Sequence, residues 1–145
     1  MRDGKIDYCI IGGMAINAYC EPMVTLDIDC AIVMEHISML KQELKERGFS
    51  VKTHPHTWEI THRESNLKIQ IQRDERYQAF IGNAERLSIL GYDAKVARKE
   101  DVLLGKIWAY SDPERNALKR EKDLLDIKRL VQKHPKLKKL VPKKI

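Results

Sequence analysis

Ile10-Ile11-Gly12-Gly13-Met14-Ala15, followed by Thr25-Leu26-Asp27-Ile28-Asp29, is the stretch from which the rest of the chain can be read. An apolar strand that runs into a glycine pair and a short helix supplies backbone N–H groups able to hold phosphate. A second strand then carries two carboxylates two residues apart, and alternate side chains of a strand share a face. A rise of about 3.3 Å per residue puts their Cβ atoms roughly 6.5–7 Å apart. Carboxylates that close repel each other and favour a cation between them. Their hard oxygens suit Mg²⁺ or Mn²⁺, which keep coordination positions for phosphate oxygens. Phosphate grip plus paired acids is the equipment that divalent-metal chemistry on a nucleotide needs. The plainer alternatives are two surface acids on an amphipathic strand and glycines that serve only a tight turn. Thr25 either contacts phosphate or satisfies that turn.

The 145 residues are enough for one cored domain, expected over 1–134, with a basic tail over 135–145. A composition of 43% hydrophobic and 33% charged residues excludes a disordered chain, and no apolar run approaches a membrane span. The N-terminus shows no secretory cleavage pattern. Cys9, Cys20 and Cys30 are an odd set, and two of them lie in apolar strands. This fits reduced core thiols in a cytoplasm better than a disulfide framework. From Lys133 to Ile145 there are six lysines and no acid, a tail that either touches nucleic-acid phosphate or is simply solvated.

Residue patterning predicts strands over 5–11 and 26–34 with a helix over 14–20 between them, and an amphipathic helix over 37–47 stopped by Gly48. Three strands are expected next, over 49–53, 57–61 and 67–72, joined by hairpin-length turns. A short helix is expected over 77–87, then a turn and short edge strand over 91–96. Helices follow over 99–110 and from the cap signal Asp112-Pro113 to about 134. The sum is an α+β fold, a small mixed β-sheet with helices packed on one face, and the Asp27/Asp29 face of its strand open to solvent. His54, His56 and His62 offer a weaker zinc reading without a cysteine at a usual spacing. Trp58, Tyr77 and Trp108 are spread as core residues are, rather than interleaved with cations.

In the C-terminal half, Asp123 and Asp126 stand three apart and flank one helix face. Either they pair locally, Lys119 with Asp123 and Lys122 with Asp126, or they take a functional role. Lys106 is either a solvated helix lysine or a phosphate contact.

The first motif resembles the signature of the nucleotidyltransferase superfamily, with its polymerase-beta-like fold. The chain is most similar to small bacterial and archaeal proteins related to the toxin components of AbiE-type toxin–antitoxin systems. The segment Glu100-Asp101-Val102-Leu103-Leu104-Gly105-Lys106 and the element Lys122-Asp123-Leu124-Leu125-Asp126 extend the resemblance, which runs from about Tyr8 to Val131. It implies transfer of a nucleoside monophosphate from a nucleoside triphosphate to a hydroxyl acceptor on RNA, protein or a small molecule. Asp27 and Asp29 would hold one or two Mg²⁺ ions, and Gly12 and Gly13 would cradle the β- and γ-phosphates. Thr25, Lys106 and Asp123 would complete the nucleotide site.

Two positions depart from that pattern. Active relatives usually bring a third carboxylate from a later strand, where this chain reads Leu67-Lys68-Ile69-Gln70-Ile71-Gln72. Gln70 takes the catalytic position, but an amide cannot act as a general base near neutral pH. Glu59 or Asp74 could stand in. Many relatives also carry an arginine where this chain has Met23. The alternative is therefore a catalytically silent module of the same fold that senses nucleotide or partners with an antitoxin-like protein.

Overall fold

The computed structural model describes residues 7–23, 27–33, 36–55, 57–89 and 91–145. Strand β1 (Tyr8–Ile11) passes directly into helix α1 (Gly12–Tyr19), and β2 (Asp27–Ile32) returns antiparallel beside β1. Helix α2 (Ile37–Glu46) leads into an antiparallel meander of β3 (Ser50–Thr53), β4 (Thr57–His62) and β5 (Ser65–Gln72). A 3₁₀ turn (Glu75–Tyr77) and the short α3 (Gln78–Gly82) precede the hairpin of β6 (Glu85–Ile89) and β7 (Tyr92–Val96). Helices α4 (Lys99–Ser111) and α5 (Ala117–Lys133) and a 3₁₀ segment (Pro135–Leu140) follow.

The strands form one mixed sheet in the order β3-β4-β5-β2-β1-β7-β6, parallel at β2–β5 and β1–β7. This is the α+β arrangement with a mixed sheet that the residue patterning predicts. The parallel β2–β5 register aligns Ile28 with Ile69 and Cys30 with Ile71, and β4 adds Ile60 and Trp58 to the same rows. Strand pleating therefore collects the apolar residues on one face and Asp27, Asp29, Lys68, Gln70 and Glu59 on the other. Helix α2 serves the apolar rows, burying Ile37 and Leu40 and placing Lys41 Nζ 5.2 Å from the Trp58 ring centre. Between sheet and helices lie the fully enclosed Ala15, Ile16, Ile32, Ile71, Leu103 and Leu130. Among the described residues no helix is long and apolar enough to cross a membrane.

Three local expectations are corrected. The helix expected over 77–87 ends at Gly82, and 85–89 is a strand. Leu87 and Ile89 alternate with Arg86 and Ser88, the two-residue period of a strand, and pair with Ala94 and Tyr92. Strand β7 is consequently interior, flanked by β1 and β6, rather than an edge. Helix α5 starts five residues after Asp112, because the Asn116 side chain accepts from the Leu118 and Lys119 N–H groups and is the N-cap. Asp112 instead closes a turn by accepting from Glu114 N–H.

Candidate functional site

The antiparallel register opposes Ile11 to Asp29, so the glycine turn begins beside that aspartate. Gly12 has φ +70°, and a Cβ there would lie 2.5 Å from Asp29 Oδ2. Glycine at this position is thus required twice, by the left-handed backbone and by the carboxylate occupying the space of its missing side chain. Gly13 differs, since a Cβ there would meet nothing within 4 Å. The start of α1 has no side-chain cap, which leaves its first N–H groups directed at this corner.

Asp27 lies exposed at the strand entrance, while Asp29 is half-buried. The face expected to be open to solvent is thus exposed at Asp27 and only partly so at Asp29. Burial is the main reason that the Asp29 carboxyl is pushed up to about 6. Lys106 opposes the shift, the Asp27 charge adds to it, and Arg115 and Lys119 oppose it more weakly. Three cations thus surround Asp29, yet among the described residues none is within ion-pair distance of it.

Asp29 and Gly12 open into a cavity of about 80 Å³ shared with Gln72, Lys106, Arg115 and Asp123. That is room for a few waters or one phosphate group, not a nucleoside. Its far wall is aromatic. Tyr77 and Phe80 of that wall pack edge-on at 5.3 Å, Trp108, outside the lining, packs on them at 5.5 and 5.6 Å, and Gly105 admits the Tyr77 ring at 3.3 Å from where a Cβ would stand. Asp101 also lines the cavity and is tied to Arg98 at 3.1 Å.

Behind the cavity sits a buried ion network. Lys106 Nζ donates to Asp126 at 2.9 Å and to Asp123 at 3.3 Å. Asp123 also accepts from Arg115 Nε at 2.6 Å. Asp126 accepts from Lys122 at 2.7 Å and Arg129 at 2.9 Å. Burial pushes the Asp126 carboxyl up, but Lys106 and Lys122 together outweigh it and hold it below the usual carboxylate range. The local pairing of Lys122 with Asp126 is present. The expected Lys119–Asp123 pair is replaced by Lys106 and Arg115, and both aspartates are at most 1% exposed instead of lying on a solvated face.

Gln70 pairs directly with Asp29 across β2–β5, so the three residues Asp27, Asp29 and Gln70 do share one patch of sheet. Glu59 is one strand further, about 10 Å from Asp29 by strand spacing. It is held by Lys68 at 3.2 Å and His54 at 3.5 Å. Asp74 caps the 3₁₀ turn and pairs with Arg76. Neither stand-in lines the cavity. Thr25 and His56 lie outside the described residues. His62 packs on Phe49 at 4.9 Å between ring centres, away from the acid pair.

Sequence reasoning missed Arg115 and Arg129. Asn17 clamps Met23 through both backbone groups, and Arg129 Nη2 donates to Asn17 Oδ1 and to the Glu21 carbonyl. A cation from α5 thereby stands beside the Asn17–Met23 clamp, where the resemblance led to the expectation of an arginine. The spacing Asp126–Arg129 was a visible i,i+3 signal. Arg115 precedes its helix and had none.

No family model matches the chain, and no curated protein matches its sequence. Solved structures do match its fold. The lincosamide antibiotic adenylyltransferase LnuA, with lincomycin bound, is similar with a TM-score of 0.61 and 19% identity, over 89% of this chain and 88% of that one. ANT(2'')-Ia in complex with adenylyl-2''-tobramycin gives 0.70 and 16%, over 96% and 87%. An antigenic nucleotidyltransferase-like protein from Paracoccidioides brasiliensis gives 0.59 and 21%, over 90% and 70%. A β-strand, a glycine corner and a return strand, set in a seven-stranded mixed sheet, are thus arranged here in the fold of the nucleotidyltransferases.

Proposed function

We propose that this chain is a nucleotidyltransferase, moving a nucleoside monophosphate from a nucleoside triphosphate to a hydroxyl on a small-molecule, RNA or protein acceptor. The observation that carries this reading is the seating of Asp29 against Gly12, next to an uncapped helix start and three cations but with none of them paired to it. Among the described residues no group of three or more His, Cys, Asp or Glu stands together. Two carboxylates still suit Mg²⁺ or Mn²⁺, which bind through one or two of them and complete their shell with phosphate and water oxygens. Asp27 and Asp29 would hold the ion, whose chemistry when bound is to polarise the phosphoryl oxygens and neutralise the departing pyrophosphate.

The chain's own residues account for the rest. The Gly12 and Gly13 amides take phosphate oxygens at the start of α1. Arg115 brings positive charge to the cavity lining, and the Lys119 charge acts on Asp29 more weakly. Lys106 is neutralised by Asp123 and Asp126, so it acts through the local field and by holding Asp123, which in turn orients Arg115. The cavity's volume of about 80 Å³ suits a phosphate group, and in this reading sugar and base would lie outside it. The antibiotic-bound structures favour a small hydroxylated acceptor. Incubation with labelled nucleoside triphosphates, Mg²⁺ and either total tRNA or hydroxylated small molecules tests this. Label transfer that disappears in Asp27→Asn is the expected result.

The second reading, a silent nucleotide-binding module of AbiE-type kinship with an antitoxin-like partner, is favoured by one feature. The sheet row that would bring a third acid is Lys68, Gln70 and Gln72, and Glu59 and Asp74 are engaged elsewhere. Nucleotide-induced thermal stabilisation with no label transferred to any acceptor would select it.

A further inference from the structure

A second concavity, of about 720 Å³, lies along α5 away from the carboxylates. Its floor is apolar. Leu124, Ile127 and Val131 of α5 form one wall, and Val141, Pro142 and Ile145 form the other. Lys128, Lys138, Lys139 and Lys143 stand around it, all exposed, and among the described residues none is in an ion pair. The charge is strongly local. After Asp126 there are eight basic residues and no acid, whereas the preceding 126 residues carry 19 basic against 21 acidic. The 135–145 segment is also anchored, since Leu137 is 4% exposed and Val141 and Ile145 pack on the core cluster.

We propose that this groove docks an acidic amphipathic helix of a protein partner. Leu124, Ile127 and Val131 follow an i, i+3, i+7 stripe spanning about 10.5 Å, two helical turns. An incoming helix with apolar side chains at the same spacing lays three anchors along that floor. Its flanking Asp and Glu then meet the lysine rim, and an apolar centre with a charged, solvated rim is how protein interfaces are built. A small-molecule site would instead bring fixed polar groups inward, and Gln132 is the one uncharged polar side chain of the lining. Nucleic acid needs no apolar floor and usually meets stacking aromatics, of which the lining has none. A flat membrane surface does not enter a cleft between a helix and a folded tail.

The probe is a fluorescein-labelled 14-residue helical peptide with Leu at i, i+3 and i+7 and Glu on both flanks. Two controls accompany it, a scrambled peptide and one with every Glu replaced by Lys. The full-length chain should bind the acidic peptide at least tenfold more tightly than either control, with affinity falling as salt rises. Amide chemical shifts should change at 124–132 and 138–145. The exposed double variant Lys139→Glu/Lys143→Glu should keep its melting temperature, weaken the acidic peptide about tenfold and gain affinity for the Lys peptide. Any of four results overturns the proposal. They are equal binding of the scramble, shift changes elsewhere, tighter binding of a 20-nucleotide RNA or of phosphatidylglycerol vesicles at the same residues, and self-association of the chain through this groove.

Discussion

Two aspartate pairs in this molecule look alike in sequence and end in opposite states. Asp123 and Asp126, on α5, are nearly inaccessible, and Lys106, Arg115, Lys122 and Arg129 surround them within 3.3 Å. On β2, Asp27 is exposed and Asp29 lines a cavity, carrying its burial with no cation in contact among the described residues. A buried carboxylate without a partner shifts its pKa upward, whereas one with partners does not. The α5 pair therefore has its counter-ions built in, whereas Asp29 has no cation in contact among the described residues.

The comparison is most sharply tested by activity. Asp27→Asn should lower label transfer at least about a hundredfold, a loss of several kcal/mol of transition-state stabilisation, with the fold intact by circular dichroism. Asp126→Asn should leave Asp27 and Asp29 in place but strand Lys106 and Arg129, costing about 3–5 kcal/mol in urea unfolding. If instead Asp126→Asn is neutral to stability, the network is not the scaffold described.

Asp29 yields a smaller and pH-dependent effect. Its folded pKa of about 6 lies above the ordinary 3.8, so the protonated form favours folding below about pH 4. That contribution fades as pH rises through 6, and the ionised, buried carboxylate then costs up to about 3 kcal/mol. Asp29→Asn should accordingly stabilise the protein at pH 8 and leave it unchanged near pH 3.5, as read by melting temperature. Mg²⁺ should raise the wild-type melting temperature above pH 6 and lose that effect below it, and should do neither in the variant. The smallest change is expected at Gly13→Ala, which meets open space and should alter stability by no more than about 1 kcal/mol. The same substitution should weaken nucleotide-induced stabilisation, because its methyl group intrudes where phosphate would lie. Gly12→Ala, by contrast, should destabilise with or without ligand.

Much of the fold was legible because its cues are local. The apolar run to Ile11, the glycine corner and the alternation of Ile28 and Cys30 with Asp27 and Asp29 identify strand, turn and return strand within a window of about twenty residues. The strand at 85–89 was masked by the helical segment immediately before it, although Leu87 and Ile89 carried the right period. The cap at Asn116 was masked by an equally good signal at Asp112-Pro113, and the choice between them depends on where α5 packs. Within the candidate site, Gln70, Lys106 and Asp123 were drawn in by the family resemblance, whereas Gly12, Asp27 and Asp29 were identifiable by residue type and spacing. Arg115 was not, because its partner Asp123 is eight residues away across a turn.

The order of residues alone settled the α+β class, the glycine corner and the two acids on one face of a strand, since backbone sterics and strand pleating act over a few residues. Tertiary packing decided the charge states. It closed Asp29 under Gly12 and withheld a partner from it, while bringing Lys106 from α4 to neutralise both aspartates of α5. Whether a carboxylate is paired depends on distances of a few ångströms between segments remote in the chain, and no local pattern specifies those.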